Sequence, residues 1–152
     1  MKLDKLSKEL ELLFSTLQAV KINHPKHFSG IGIIVYNGEF LENNKFISLR
    51  PNVKPPKDLM LGTKKCIDYL SAISCYRHAL HDGYIFVKKT GLFTHVAQFL
   101  EVHLDPETKP HKDHGTRYLC SLIASKEDGV EGVGNLSSDW EICIFRKGKV
   151  LD

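Results

Sequence analysis

Leu80-His81-Asp82-Gly83 runs straight into the apolar segment Tyr84-Ile85-Phe86-Val87, and His114-Gly115-Thr116-Arg117 runs into Tyr118-Leu119-Cys120-Ser121-Leu122-Ile123. The first junction reads as the end of a helix and the start of a strand, Gly83 to Lys88. A turn at Lys89-Thr90-Gly91 then leads to a partner strand over Leu92 to Leu100. The second junction reads as a helix start, Thr116 to about Ser125, with Leu119, Leu122 and Ile123 turned inward. A hairpin followed by an amphipathic helix calls for a sheet with that helix laid on it.

The flanking sequence extends the same pattern. Leu3, Leu6, Leu10, Leu13, Phe14, Leu17 and Val20 recur at three and four residues, which predicts an amphipathic helix over 3–22 that Asn23-His24-Pro25 ends. Gly30-Ile31-Gly32-Ile33-Ile34-Val35-Tyr36 predicts a strand buried on both faces, closed by the turn Asn37-Gly38. Residues 44–57 hold three prolines and read as a long loop, followed by a helix from about Lys57 to Tyr76 with Met60, Ile67, Leu70 and Ile73 inward. Asp105 to Lys112 reads as an exposed loop. Two last strands, Gly129 to Asn135 and Trp140 to Arg146, are joined by the turn Leu136-Ser137-Ser138-Asp139. Trp140, Tyr36 and Phe145 are expected in the core. The expectation is an α/β (mixed α+β) domain over 25–152, a central mixed sheet flanked by helices, preceded by the amphipathic helix of 1–24.

Composition sets the outer limits. A chain of 152 residues with 42% hydrophobic and 26% charged residues suits one core and is short for two. The net charge of +3 is too mild to argue for nucleic acid. The longest apolar run, Ile31 to Tyr36, is strand-sized, so no membrane span is expected. Met1-Lys2-Leu3-Asp4-Lys5 does not open a signal peptide. Cys66, Cys75, Cys120 and Cys143 form no CxxC pair, and free thiols in apolar stretches suit a cytoplasmic location.

Two short stretches carry chemistry. An imidazole and a carboxylate adjacent at His81-Asp82 can both reach one Mg²⁺ or Mn²⁺, and Gly83 lets a ligand approach the backbone. The plainer alternative is an Asp-Gly turn beside a loop histidine. At Gly115-Thr116-Arg117 the free N–H groups and positive dipole of a helix start attract phosphate, which an arginine can grip with two hydrogen bonds. The plainer alternative there is a threonine N-cap beside a solvated arginine. His78/His81 and His111/His114 share three-residue spacing, but no cysteine pair completes a zinc site. Ser137 and Ser138 read as turn residues at a strand junction that faces a ligand in the functional alternative.

Taken jointly, these residues resemble the diadenylate cyclase (DAC) domain family, which condenses two ATP into cyclic di-AMP. Gly30-Ile31-Gly32-Ile33-Ile34-Val35 looks like its glycine-containing core strand, and His81-Asp82-Gly83-Tyr84 is similar to its His-Asp-Gly-Ala motif. Val96-Ala97-Gln98-Phe99-Leu100 resembles the strand end whose leucine lines the adenine pocket. Gly115-Thr116-Arg117-Tyr118-Leu119 looks like its Gly-Thr-Arg-His-Arg phosphate motif. The likeness spans roughly residues 28–150.

It implies that His81 and Asp82 bind Mn²⁺ or Mg²⁺, with Asp82 and Gly83 at the attacking ribose hydroxyl. Gly115, Thr116 and Arg117 would hold the triphosphate, Leu100 would pack on adenine, and Tyr84 and Ser137 would border the nucleotide. Catalysis in that family needs two domains face to face, hence a homo-oligomer. Three departures stand out: Tyr84 replaces alanine, Tyr118-Leu119 replaces His-Arg, and Leu136-Ser137-Ser138 stands where a Ser-Glu-Glu metal-binding turn is usual. Two readings follow: a divergent diadenylate cyclase, or a catalytically degenerate module that binds a nucleotide or a protein partner without turnover.

Overall fold

β1 (Ile31–Tyr36) is buried along its whole length and divides the protein in two. Its side chains alternate between faces, as strand geometry requires. Ile31, Ile33 and Val35 join one apolar layer, and Ile34 and Tyr36 join the other. The computed structural model describes residues 6–103, 107 and 115–151. Around β1 the chain builds α1 (Lys8–Ile22), α2 (Phe40–Asn43), β2 (Phe46–Ser48), α3 (Lys64–Ile73), β3 (Tyr84–Lys88), β4 (Phe93–Leu100), α4 (Thr116–Ala124), β5 (Val130–Leu136), β6 (Ile142–Arg146) and β7 (Lys149–Val150). The seven strands form one sheet in the order β2-β4-β3-β1-β5-β6-β7. Among the described residues, β1 and β3 pair in parallel and the other pairs are antiparallel, so the sheet is mixed.

α1 and α3 cover the first layer. Leu10, Leu13, Leu17 and Val20 are fully buried there, and Gly132 and Gly134 of β5 make the close approach possible. A Cβ at Gly132 would lie 2.5 Å from Leu10 Cδ2, and one at Gly134 would lie 2.8 Å from Leu13 Cδ2. α4 belongs to the second layer: its Ala124 is buried with Val133, Phe145, Phe86 and Tyr84. The opening motifs therefore bracket β1, one beginning the neighbouring strand β3 and the other beginning the helix on β5.

The mixed α/β architecture is as expected, and several details differ. The helix expected over 57–76 is confined to Lys64–Ile73. Gly62 has φ +86, and Thr63 caps the helix by accepting from Cys66 N at 3.2 Å, which fixes its start. Met60 lies outside it and is 36% exposed rather than inward. The loop read over 44–57 contains the short edge strand β2, held by β4 rather than by its own sequence. A further two-residue strand, β7, closes the chain.

Trp140 sits half-buried on the β5–β6 turn at φ +73, stacked on Phe28 with His24 against its ring. Cys66 and Cys143 are buried, Cys75 and Cys120 are half-buried, and none is bridged. Leu3, the loop read from Asp105 to Lys112 (Glu107 apart) and the His111/His114 pair lie outside the described residues.

Candidate functional site

α4 begins at Gly115, an extended N-cap that offers no side chain to the first N–H groups of the helix. Gly115, Thr116, Arg117 and Tyr118, where those donors lie, line a cavity of about 340 Å³. Ser137, Ser138, Asp139 and Glu141 of the β5–β6 turn line it too, with Ser29 and Asn135. Ser137 is a strut of that turn: its hydroxyl donates to the Asp139 carboxylate, and its Oγ accepts from Glu141 N at 3.2 Å. Arg117 lies across Gly30, donating from Nη1 to Ser29 O at 3.4 Å. A Cβ on Gly30 would stand 2.6 Å from that nitrogen, so the guanidinium takes this position only because the residue is glycine.

The other motif lies apart from this cavity. His81 and Gly83 border a cleft of about 10 Å³ with Gly30, Gly32 and Leu80, barely room for one water. The two spaces have no lining residue in common, although Gly30 of the cleft is the chain neighbour of Ser29 in the cavity. Asp82 lines neither of them; its side chain is 65% exposed, and Oδ1 lies 3.4 Å from His81 Nδ1. Among the described residues no three His, Cys, Asp or Glu side chains converge on a point where one ion could reach them. Mg²⁺ and Mn²⁺ favour six oxygen-rich ligands, so His81 and Asp82 alone do not fit a resident divalent metal.

Tyr84 fills the ground between the motifs. It is 8% exposed, and its ring crosses β1 at Gly32, where a Cβ would lie 2.8 Å from the ring carbons Cδ1 and Cε1. Its hydroxyl reaches α4, 2.7 Å from Ser121 Oγ and 3.2 Å from the carbonyl of Arg117. Ser121 in turn donates to Asn135 Oδ1 at 3.0 Å. Burial pushes the Tyr84 phenol up to about 12, against a smaller downward pull from the Ser121 hydrogen bond. Leu100 is buried in the same apolar layer. Tyr118, where the resembled motif has histidine, packs edge-on against Phe145 at 4.9 Å between centroids.

Of the expected site residues, the structure thus gathers Gly115, Thr116, Arg117 and Ser137 around one cavity. It sets His81 and Gly83 beside another space, and it buries Tyr84 and Leu100. Ser29, Asn135 and Glu141 line the cavity without having been singled out in the sequence, and Ser121 ties down Tyr84. Two signals for them exist. A glycine inside a strand, here Gly32, marks a close approach. A lone asparagine among apolar strand residues, here Asn135, marks a polar network.

No known family profile matches the chain, and no curated protein matches it. Solved structures do. A protein from Bacillus cereus, described as a hypothetical membrane spanning protein, superposes with TM-score 0.66 at 19% identity, over 95% of this chain and 62% of its own. This chain therefore spans under two thirds of that one. DacA from Staphylococcus aureus superposes with TM-score 0.60 at 19% identity, over 94% of this chain and 86% of its own. At such identity the likeness establishes the fold, which is DAC-like. It also corrects the expected cytoplasmic location: the same fold occurs in a protein described as membrane spanning, and cysteines outside disulfides do not assign a compartment. Among the described residues, no helix is long and apolar enough to cross a membrane.

Proposed function

We propose that this chain is a DAC-like binding module that takes a phosphate-bearing ligand of the nucleotide type at the start of α4 and does not turn it over. Arg117, the uncapped N–H groups after Gly115 and the hydroxyls of Thr116 and Ser138 border one cavity. That combination suits a phosphate held by charge-assisted hydrogen bonds. The observation that supports a module without turnover is Tyr84, whose ring packs over Gly32 of β1 where the resembled motif has alanine, and whose hydroxyl is fastened to α4.

Intact His81-Asp82-Gly83 supports the second reading, a divergent cyclase acting on ATP with Mn²⁺ or Mg²⁺ across a homodimer. In that reading ATP would have to displace Tyr84 and bring Asp82 to the reacting hydroxyl. Calorimetric titration of the full chain with ATP, AMP and pyrophosphate tests the proposal. All three are expected to bind, and Arg117→Ala is expected to weaken each about tenfold to a hundredfold. Equal affinity in the wild type and Arg117→Ala would remove the phosphate from this cavity and overturn the proposal.

A further inference from the structure

We propose that the cleft between β2, β4 and residues 49–57 is a second ligand site, for a small anion carried on a planar ring that also bears a hydrogen-bond donor. The cleft measures about 540 Å³, larger than the cavity at α4. Its apolar surface is aromatic: the rings of Phe46 and His95 meet edge-on at 5.5 Å, an arrangement against which a third ring stacks readily. Its charge is one-sided. Lys54 is the cation among its lining residues, and no lining residue is a carboxylate. Burial and the Lys54 charge together hold the His95 imidazole below its usual range.

Gln98 supplies the directional element. It lines the cleft while 4% exposed, and its Nε2 donates to Val96 O at 2.8 Å. No protein donor among the described residues reaches its Oε1, which is therefore open to a ligand donor from the cleft. The backbone is bent to achieve this. The β3–β4 register shifts between Tyr84 and Phe86, and Ala97 adopts φ +51, a left-handed conformation uncommon for alanine.

The same bulge seats the first motif. A Cβ on Gly83, itself at φ +79, would lie 2.7 Å from Gln98 O and 2.9 Å from Gln98 N. Occupancy of the cleft would therefore press on the backbone that carries His81 and Asp82.

The test is NMR titration of the full chain with 4-hydroxybenzoate, which joins ring, anion and donor, against acetate and 4-hydroxybenzyl alcohol as controls. The expected result is a saturable shift of the Gln98 side-chain amide at millimolar ligand, about tenfold tighter than either control. Exposed Lys54→Ala should weaken binding about tenfold, and Arg117→Ala should leave it unchanged. Absence of saturation, equal affinity for the uncharged alcohol, or sensitivity to Arg117 instead of Lys54 would each overturn the proposal. The last would place the probe at α4.

Discussion

Gly32→Ala and Tyr84→Ala should each destabilise the protein, and together they should cost less than their sum. Gly32 is not in the left-handed region, so alanine meets no backbone strain there; the obstacle is the Tyr84 ring. The added methyl carbon would lie 2.8 Å from two ring atoms, roughly 1 Å inside an ordinary carbon contact. The ring has nowhere to retreat, because it is buried and its hydroxyl is held by Ser121 Oγ at 2.7 Å. Gly32→Ala therefore overpacks the layer, at about 1–3 kcal/mol. Tyr84→Ala empties the same space, at about 3–5 kcal/mol. In the double variant the new methyl enters the vacated volume, so the pair should be coupled by about 1–3 kcal/mol.

Urea unfolding followed by Trp140 fluorescence and far-ultraviolet circular dichroism measures all four corners of the cycle. Additivity within about 0.5 kcal/mol would refute the claim that the ring lies across Gly32. If Tyr84→Ala does not fold, Tyr84→Leu closes the same cycle with a smaller cavity.

Tyr84→Phe keeps the ring and removes its link to α4, so it should cost about 1 kcal/mol in the same urea assay. The variant also isolates a pH effect. The folded phenol at about 12 lies above its ordinary value of 10.0, so its contribution is complete below pH 10 and is lost as the pH rises from 10 to 12. The loss is on the order of 2–3 kcal/mol, and Tyr84→Phe should flatten it in alkaline unfolding curves. Burial raises the Cys66 thiol to about 11, so in native protein a thiol reagent followed by peptide mapping should modify Cys75 well before Cys66. Gly30 is at φ +92, so Gly30→Ala should strain the backbone, read as lower stability in the urea assay. It should also push the Arg117 guanidinium off Ser29, since the added Cβ would meet Nη1 at 2.6 Å. Pyrophosphate titration should then show weaker binding in that variant, by about tenfold.

Periodic segments made much of the fold readable. Ile31–Tyr36 is strand-buried on both faces because its apolar run has no polar break, and Leu10, Leu13, Leu17 and Val20 mark the seated face of α1. β2 escaped because its three residues are ordered by pairing with β4, a tertiary effect with no local signature. The extent of α3 was misread because Gly62 and Thr63 start it inside a longer apolar pattern.

At the site, Gly115-Thr116-Arg117 was legible because helix starts use local residue types. Its partners come from distant stretches: Ser29 just before β1, Asn135 in β5 and Glu141 just before β6 line the same cavity only after the sheet has assembled. Tyr84 was visible as a departure from the DAC pattern. Its direction depended on the space above Gly32, which no sequence distance encodes.

The central claim is that the chain binds a nucleotide's phosphates at Arg117 while Tyr84 keeps it from turnover. Its most direct test is to incubate the concentrated protein with ATP and Mn²⁺ and assay the mixture by mass spectrometry. The account predicts ATP recovered intact from the protein, no cyclic di-AMP, and loss of ATP retention in Arg117→Ala. Accumulation of cyclic di-AMP, abolished by Asp82→Asn, would contradict it and establish the cyclase reading.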